Sequence, residues 1–555
     1  MNPSNQDLVL IAGAGPTGLS LAVELARRRL PCRIIDRASA RIVTSNALAI
    51  QARTLEVFES MGIVDQALAA GYRLRGLNIY GERRNLAHIE WDTLDTPYPF
   101  ILSLPQSETE RIMAEELERL GVTVERQVEL TGIEQDEAGV SARLSHAGKT
   151  EETCRAAWLI GCDGAHSATR HALAVPFDGG DYQESFMFAD LGVTGPLSKD
   201  AVHLFFHPEG LLIFIPINEK LWRIIANLPG TGDDSLPTLE EMQALVDQRG
   251  PGGVSLSNVH WSARPHIHHR KVSRFRQGRV FLAGDAAHIH SPAGGQGMNT
   301  GIQDAFNLGW KLGLVMQGYA DESLLDSYDA ERGPVVRNLL AFTDRVTRIA
   351  TFHDPVAQVI RDHLISLFAG HGVRVFAERL ASRNAELAVD YTGSPIVAED
   401  EYSFPPRILR AGPKAGERAP DGELQSPAAE KTQLFRLFRD PGHCLLLFAG
   451  PDSSTSARAL AQIASAVRDE YADLISSYMI VTGKSAPAGF ARTESLLFDR
   501  EGLVHRRYGA DVACLYLVRP DGYIGFRASP PRLERLEEYL TRIFGFAEWR
   551  RLRSA

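Results

Sequence analysis

LVLIAGAGPTGLSLAVELARRR, residues 8–29, decides the first part of the fold. A short apolar run at 8–12 leads into Gly13-Ala14-Gly15-Pro16-Thr17-Gly18, and an apolar-periodic stretch follows. The pattern predicts a strand, a tight glycine turn and a helix. A second strand, CRIID at 32–36, ends in Asp36, 18 residues after Gly18. Each element suits a bound dinucleotide. Gly13 permits the turn, Gly15 lets the backbone approach a pyrophosphate, and Gly18 lets the helix pack on the strand. The helix N-terminus offers free N–H groups and partial positive charge to the phosphates, and Asp36 accepts from a ribose. The cofactor-binding set predicted here is Gly13, Ala14, Gly15, Pro16, Thr17, Gly18, Asp36 and Arg37. The unit alone does not separate NAD from FAD. It occurs once: GPGG at 250–253 and GGQG at 294–297 lack the strand-turn-helix setting. A single copy favours one tightly held dinucleotide.

A second stretch, GRVFLAGDAAHIHSPAGGQGMNTGIQDAFNLGWKL at 278–312, has related logic. An apolar strand ends at Gly284-Asp285, a glycine-rich loop follows, and a helix begins near Met298. An acid at the carboxyl end of a strand can accept from sugar-alcohol hydroxyls. The loop exposes N–H groups, and the helix N-terminus favours negative charge. Gly284, Asp285, Pro292, Gly295, Gly297, Met298 and Asn299 join the predicted cofactor set.

This second stretch resembles the second FAD fingerprint of the class A single-component flavoprotein aromatic hydroxylases. WLIGCDGAHSATR at 158–170 resembles that family's Asp-Gly segment, which touches both FAD and reduced nicotinamide; Asp163 and Arg170 match. Leu104-Pro105-Gln106, followed by Glu110-Arg111, is similar to the segment whose glutamine contacts FAD. The likeness spans 8 to about 337. RAPDGEL, CLLLFAG and YLVRPDGYIGFRAS, at 418–424, 444–450 and 516–529, resemble the thioredoxin-like third domain of the larger phenol hydroxylases, with particular likeness to enzymes acting on pentachlorophenol and nitrocatechols. Two departures stand out. PDSST occupies the place of a thioredoxin CxxC, so disulfide exchange is not expected. Asn46 stands where many relatives have a basic residue, and Arg53 is the candidate to compensate.

The resemblance implies an α/β FAD-binding fold of the Rossmann-like, glutathione-reductase type, with an inserted antiparallel-sheet substrate domain and a C-terminal thioredoxin-like domain. The expected FAD-binding pieces are 1–71, 103–177 and 275–337. The expected substrate domain is 72–102 with 178–274, whose strands SFMFADLGV, AVHLFFH, LLIFIPI and LWRIIANLP follow one another, with a hairpin turn at His207-Pro208-Glu209-Gly210. A helical connection at 338–396, a linker at 397–416 and the last domain at 417–555 complete the division.

The implied activity is hydroxylation of a phenolic substrate, nitro- and halo-substituted phenols and catechols among them, by NADH or NADPH and O2 through a flavin C4a-hydroperoxide. A bulky polyketide-type aromatic is the alternative substrate, and a non-catalytic FAD-binding sensor the alternative of another class. An apolar pocket must keep water from the peroxide. Leu204, Phe206, Leu212, Phe214 and Pro216 are its expected walls. Ionising the phenol asks for a base or a hydrogen-bond network. His290 is the candidate, and a structural histidine bonded to backbone is its alternative; His288 is expected to be structural. No metal site is expected, although His288 and His290 with Asp285, or His266, His268 and His269, have metal-like spacing.

Composition agrees with these expectations. The net charge is -10, with 59 Lys and Arg against 69 Asp and Glu, which leaves no basic excess for a nucleic-acid partner. No apolar run approaches the ~18 residues of a membrane span. The start MNPSNQD lacks the basic beginning of a signal peptide. Five scattered cysteines form no CxxC. A cytoplasmic homodimer is expected.

Overall fold

The computed structural model describes residues 8–41, 47–81, 84–148, 150–181, 185–228, 235–264, 268–291, 294–350, 361, 363, 365, 374–401, 412–450, 453–483 and 496–545. Its first sheet has the order Arg276–Gln277, Val280–Leu282, Trp158–Gly161, Val9–Ala12, Cys32–Asp36, Val124–Arg126. All neighbours are parallel except Arg276–Gln277. The central strand Val9–Ala12 is buried throughout, as its all-apolar sequence requires of a strand covered on both faces. Register aligns the carboxyl ends: Ala12 sits beside Gly161 and Ile35, and Gly161 beside Leu282. The loops that begin with Gly13, Cys162 and Ala283 therefore leave from one edge.

Helix Pro16–Arg27 packs along helix Gly297–Met316. Glycines make the seam possible. A Cβ at Gly301 would lie 2.4 Å from Thr17 Oγ1, one at Gly309 2.9 Å from Glu24 Cβ, and one at Gly313 2.8 Å from Arg28 Cδ.

The second sheet runs Ser255–Ala263, Ser185–Thr194, Leu221–Leu228, Gly210–Pro216, Ala201–His207, Gly76–Tyr80, Asn85–Glu90. The hairpin at Pro208-Glu209 forms as its sequence predicts, with His207 opposite Gly210. Two expectations need correction. The sheet is not wholly antiparallel: Ala201–His207 pairs in parallel with Gly76–Tyr80, a strand from a distant part of the chain that no hairpin constrains. Nor do the five expected wall residues share a face. Leu204 and Phe206 lie opposite Ile213 and Leu211, whereas Leu212 lies opposite Phe205. Directly opposed residues point to the same side, so a one-residue offset sends Leu212, Phe214 and Pro216 to the other face. There Leu212 and Phe214 pack with Met242 and Val246 of helix Leu239–Arg249 as ordinary core. The inner face, carrying Leu204, Phe206, Leu211, Ile213 and Ile215, is turned toward the first sheet's unit, because Ile215 and Val202 pack in one cluster with Ala49 and Ala52.

The third sheet has eight strands, centred on His443–Phe448, Ile475–Thr482 and Cys514–Val518. Its edge strand Ala398–Glu401 corrects the expected linker at 397–416. It pairs in parallel with Ile524–Ser529, and Arg527 and Arg532 hold Glu399 and Asp400 by ion pairs. Trp310 and Leu314 of helix Gly297–Met316 lie in the same hydrophobic cluster as Leu447, Leu517 and Phe526, so this unit shares a core with the first.

Candidate active site

The glycine turn has the backbone geometry expected at Gly13 and Gly18. Gly13 has φ +101°, and a Cβ there would come within 2.3 Å of the Cys162 carbonyl oxygen. A Cβ on Gly18 would fall 1.9 Å from the Gly13 carbonyl oxygen. A Cβ on Gly15 would meet nothing within 4 Å. Two glycines are thus demanded by the fold and the third by open space outside it. Gly15 caps helix Pro16–Arg27 without any side-chain hydrogen bond, Pro16 needs no N–H partner in the first turn, and no acid sits there. The helix N-terminus is free for an anion. Asp36 accepts from Ala14 N and Ala38 N, each at 2.8 Å, and Arg126 stands 3.5 Å away. Arg37 is exposed beside it.

The second fingerprint converges on the same place. Gly284 has φ +59°, and a Cβ there would lie 2.4 Å from Thr17 Oγ1, the atom that also faces Gly301. The Asp285 carboxylate accepts no hydrogen bond from the described residues. Its side chain is exposed at the carboxyl edge of the first sheet, yet desolvation by the surrounding protein pushes its pKa above the ordinary value, His288 opposing the shift. An acceptor left free at this edge fits a hydroxyl-rich ligand. Helix Gly297–Met316 begins beside it, with Gln296 as an N-cap whose side chain does not bond back. Gly295, at φ +64°, lies against Ala49. Pro292 and His266 lie outside the described residues, as does Asn46.

Other expected contacts are engaged within the protein. Asn299 is fully buried; its Nδ2 donates to Ala49 O and Gly295 O at 2.8 Å, and its Oδ1 accepts from Gln51 N at 2.9 Å. It ties the glycine loop to strand Ala49–Ile50. Met298 packs on the first core. Asp163 accepts from Ser167 Oγ, Thr169 N and Thr169 Oγ1, which stabilises the short helix Ala168–Ala172. Arg170 is buried over the Phe177 ring and donates to Ala286 O and Ala165 O, holding the Asp285 loop from below. Gln106 opens helix Gln106–Arg119, donates its backbone N–H to Ala47 O at 3.0 Å, and donates its side-chain Nε2 to Glu110 Oε1 at 2.9 Å. Burial raises the Glu110 pKa against the pull of Gln106, Arg126 and Arg41. Arg53 corrects one expectation: it is buried, donates to Glu56 and to Asp521 O, and stacks over Tyr523, so it does not stand in for a basic residue at position 46.

The histidines separate cleanly. His288 Nε2 bonds Asp304 Oδ2 at 2.7 Å with both groups buried, a structural arrangement. His290 Nδ1 meets Ser291 O at 2.7 Å, which places the proton on Nδ1. Its Nε2 is buried with no hydrogen-bond partner among the described residues and faces Gly297. Burial pushes its pKa down to about 4, leaving the ring neutral. Among the described residues no group of three or more His, Cys, Asp or Glu is placed to hold a metal ion, and no helix is long and apolar enough to cross a membrane.

One feature of the inner sheet face escaped the motif reading. Arg223 makes a bidentate pair with Asp190 at 2.7 and 2.8 Å, and its guanidinium lies over the Trp261 ring. Register sets Arg223 opposite both Asp190 and Ile215, on the inward side. The signal was one charge in each of two apolar strands, LWRIIANLP and SFMFADLGV.

With this geometry in hand, comparison with known proteins decides the family. The sequence matches the FAD binding domain over residues 7–343 and the aromatic-ring hydroxylase C-terminal domain over residues 412–547. The chain belongs to the class A flavoprotein aromatic hydroxylases. This hydroxylase is 35% identical to 6-methylpretetramide 4-monooxygenase of Streptomyces rimosus, over 93% of its own length and 90% of that protein. It is 32% identical to pentachlorophenol 4-monooxygenase of Sphingobium chlorophenolicum, over 94% of each. OxyS anhydrotetracycline hydroxylase from Streptomyces rimosus superposes with a TM-score of 0.75 at 29% identity, over 97% of this chain and 99% of that one. The hydroxylase is thus a flavin-dependent aromatic monooxygenase, and its first unit is an FAD-binding domain.

Proposed function

We propose that this hydroxylase adds oxygen from O2 to a phenolic ring, with NADH or NADPH as the source of electrons. The supporting observation is the convergence at Thr17, where the Gly13–Gly18 turn and the Gly284-Asp285 loop meet at the carboxyl edge of the first sheet, the recess proposed here for FAD. Asp36 takes ribose hydroxyls, Asp285 the ribityl chain, and the two open helix N-termini the pyrophosphate and the electron-rich end of the ring system. The FAD-binding pieces are 1–71, 103–177 and 275–337, of Rossmann-like, glutathione-reductase type. Residues 72–102 and 178–274 form the substrate domain, and 417–555 a thioredoxin-like unit without CxxC.

Bound FAD, once reduced, would supply activated oxygen. The chain supplies dryness, placement and an acceptor. Leu204, Phe206, Leu211 and Ile213 wall the pocket and exclude water. His290, kept neutral by burial, offers its free Nε2 to the substrate hydroxyl. Such an acceptor assists a weakly acidic phenol by hydrogen-bonding its hydroxyl. Nitro- and halo-substituted phenols ionise near neutral pH and need no acceptor. Replacing His290 by Ala should raise the kinetic pKa for a weakly acidic phenol and leave a nitrophenol unaffected; a pH profile for the weakly acidic phenol that the substitution leaves unchanged removes His290 from the chemistry.

A second reading, hydroxylation of a fused-ring polyketide aromatic, is favoured by the likeness to 6-methylpretetramide 4-monooxygenase. One experiment separates the readings. The FAD-loaded protein is offered single-ring phenols and catechols, their nitro and chloro forms, and polycyclic phenols, and NAD(P)H oxidation is scored against hydroxylated product. Coupled turnover of single-ring compounds supports the first reading, and turnover of polycyclic ones alone supports the second. A yellow protein that turns over neither is a flavin-binding sensor.

A further inference from the structure

We infer that the C-terminal unit positions the flavin recess: Arg519 and Asp521 are positioning residues that act through helix Gly297–Met316. The inference rests on the reading that the recess holds FAD. Both residues lie at the turn between strands Cys514–Val518 and Ile524–Ser529, and both are buried. Arg519 donates to Glu331 with Nη1 at 2.5 Å and Nη2 at 2.8 Å, and to Asp521 with Nε at 3.0 Å. Asp521 Oδ2 accepts from Trp310 Nε1 at 3.1 Å and Asn307 Nδ2 at 3.2 Å, both on the helix that opens at Gly297. Lys311, on the same helix, donates to Glu331 at 2.8 Å.

The next residue in sequence takes the connection to the recess. Arg332 Nε donates to Asp304 Oδ1 at 2.6 Å, and Arg332 Nη2 to Thr300 O at 3.2 Å. Asp304 Oδ2 in turn accepts from Gly284 N at 3.1 Å and from His288 Nε2. Gly284 immediately precedes Asp285. A run of paired groups therefore leads from the C-terminal turn to the backbone that presents the ribityl acceptor. Every side chain in it is buried. A satisfied network in such surroundings is stiff, and removal of one member leaves its partner charged and unpaired. Against the upward push of burial, Arg519 and Lys311 hold Glu331 well below the usual carboxylate range. Loss of either Arg519 or Asp521 unbalances the charges that fix the flavin helix without touching the recess itself.

The test uses the full-length chain, freed of flavin and titrated with FAD, with affinity read by fluorescence quenching and backbone hydrogen exchange read by region. FAD should slow exchange in the wild type at 284–304 and, because coupling is reciprocal, also at 514–529. Asp521→Asn should weaken FAD binding roughly tenfold and speed exchange at 284–304, with 185–228 unchanged. Arg519→Lys should recover part of the affinity that Arg519→Met loses. FAD binding that leaves 514–529 unprotected overturns the inference. So does an Asp521→Asn variant of unaltered FAD affinity and exchange. If the variants fail to fold, the wild-type exchange pattern decides alone. A wild type that takes up no FAD instead sinks the reading beneath the inference.

Discussion

The recess at the carboxyl edge of the first sheet and the seam with the C-terminal unit meet at opposite ends of one helix, yet they are built from different materials. The recess is made of backbone. Its specificity comes from three glycines with three steric roles, from uncapped helix N-termini and from the free Asp285 carboxylate. The seam is made of side-chain charge, with Glu331, Arg519, Asp521 and Lys311 packed into a closed network. A backbone surface can accept a ligand that arrives from outside, because its donors remain open. A charge network that neutralises itself has nothing to offer a ligand and serves instead to fix geometry.

The largest effect that would break this contrast concerns the glycines. Gly18→Val should abolish both fold and flavin binding, since its Cβ would occupy the Gly13 carbonyl and the strand-helix packing cannot yield. Gly15→Val should leave the apoprotein folded and lose only FAD, because its side chain enters empty space. Circular dichroism and FAD titration of the two variants check this. Equal loss of structure in both would mean that Gly15 is also a packing residue and that the recess is not open.

The same contrast explains what could be read from the chain alone. Glycine and aspartate at fixed offsets from a strand are local, so the backbone geometry of the turn at 13–18 and the placing of Asp36 and Asp285 at strand ends were legible. The sheet faces were half legible. Alternation along Gly210–Pro216 was visible, but its register against Ala201–His207 was not, and that register put Leu212 and Phe214 on the helix side. The seam was illegible: Arg519 and Glu331 are 188 residues apart, and no motif links them. Nor did any local signal show that Ala398–Glu401 would complete the third sheet, since its partner lies near the C-terminus.

A smaller effect sharpens the contrast inside the substrate unit. Arg223 and Asp190 form a buried pair like those of the seam, yet on a face turned toward the pocket. Arg223→Met alone should destabilise the protein by ~3–5 kcal/mol, because Asp190 is left without its bidentate partner. Arg223→Met with Asp190→Leu should recover most of that loss. Chemical denaturation measures both. A double variant no more stable than the single one would show that the pair's worth lies in contacts other than each other.

The smallest expected effect arises at the opening turns of the helix that joins the two regions. Glu386, just beyond helix Arg374–Asn384, accepts from Thr300 Oγ1 at 3.1 Å and from Gln303 Nε2, both in the opening turns of the flavin helix. Burial pushes its carboxyl up to about 7, against the pull of Thr300, Arg332 and Gln303, with Asp304 adding to the rise. The folded state therefore holds this proton more tightly than the unfolded chain does. The resulting stabilisation is complete below the ordinary value of 4.5 and is lost as pH rises through about 7. The shift corresponds to roughly 3 kcal/mol at most. Glu386→Gln, the shape of the protonated acid, should remove this dependence, so that the variant gains on the wild type between pH 5 and 8. Parallel stability curves over that range would mean that Glu386 is already ionised and paired, as the seam residues are, and that the helix is held by charge at its N-terminus as well as at the seam.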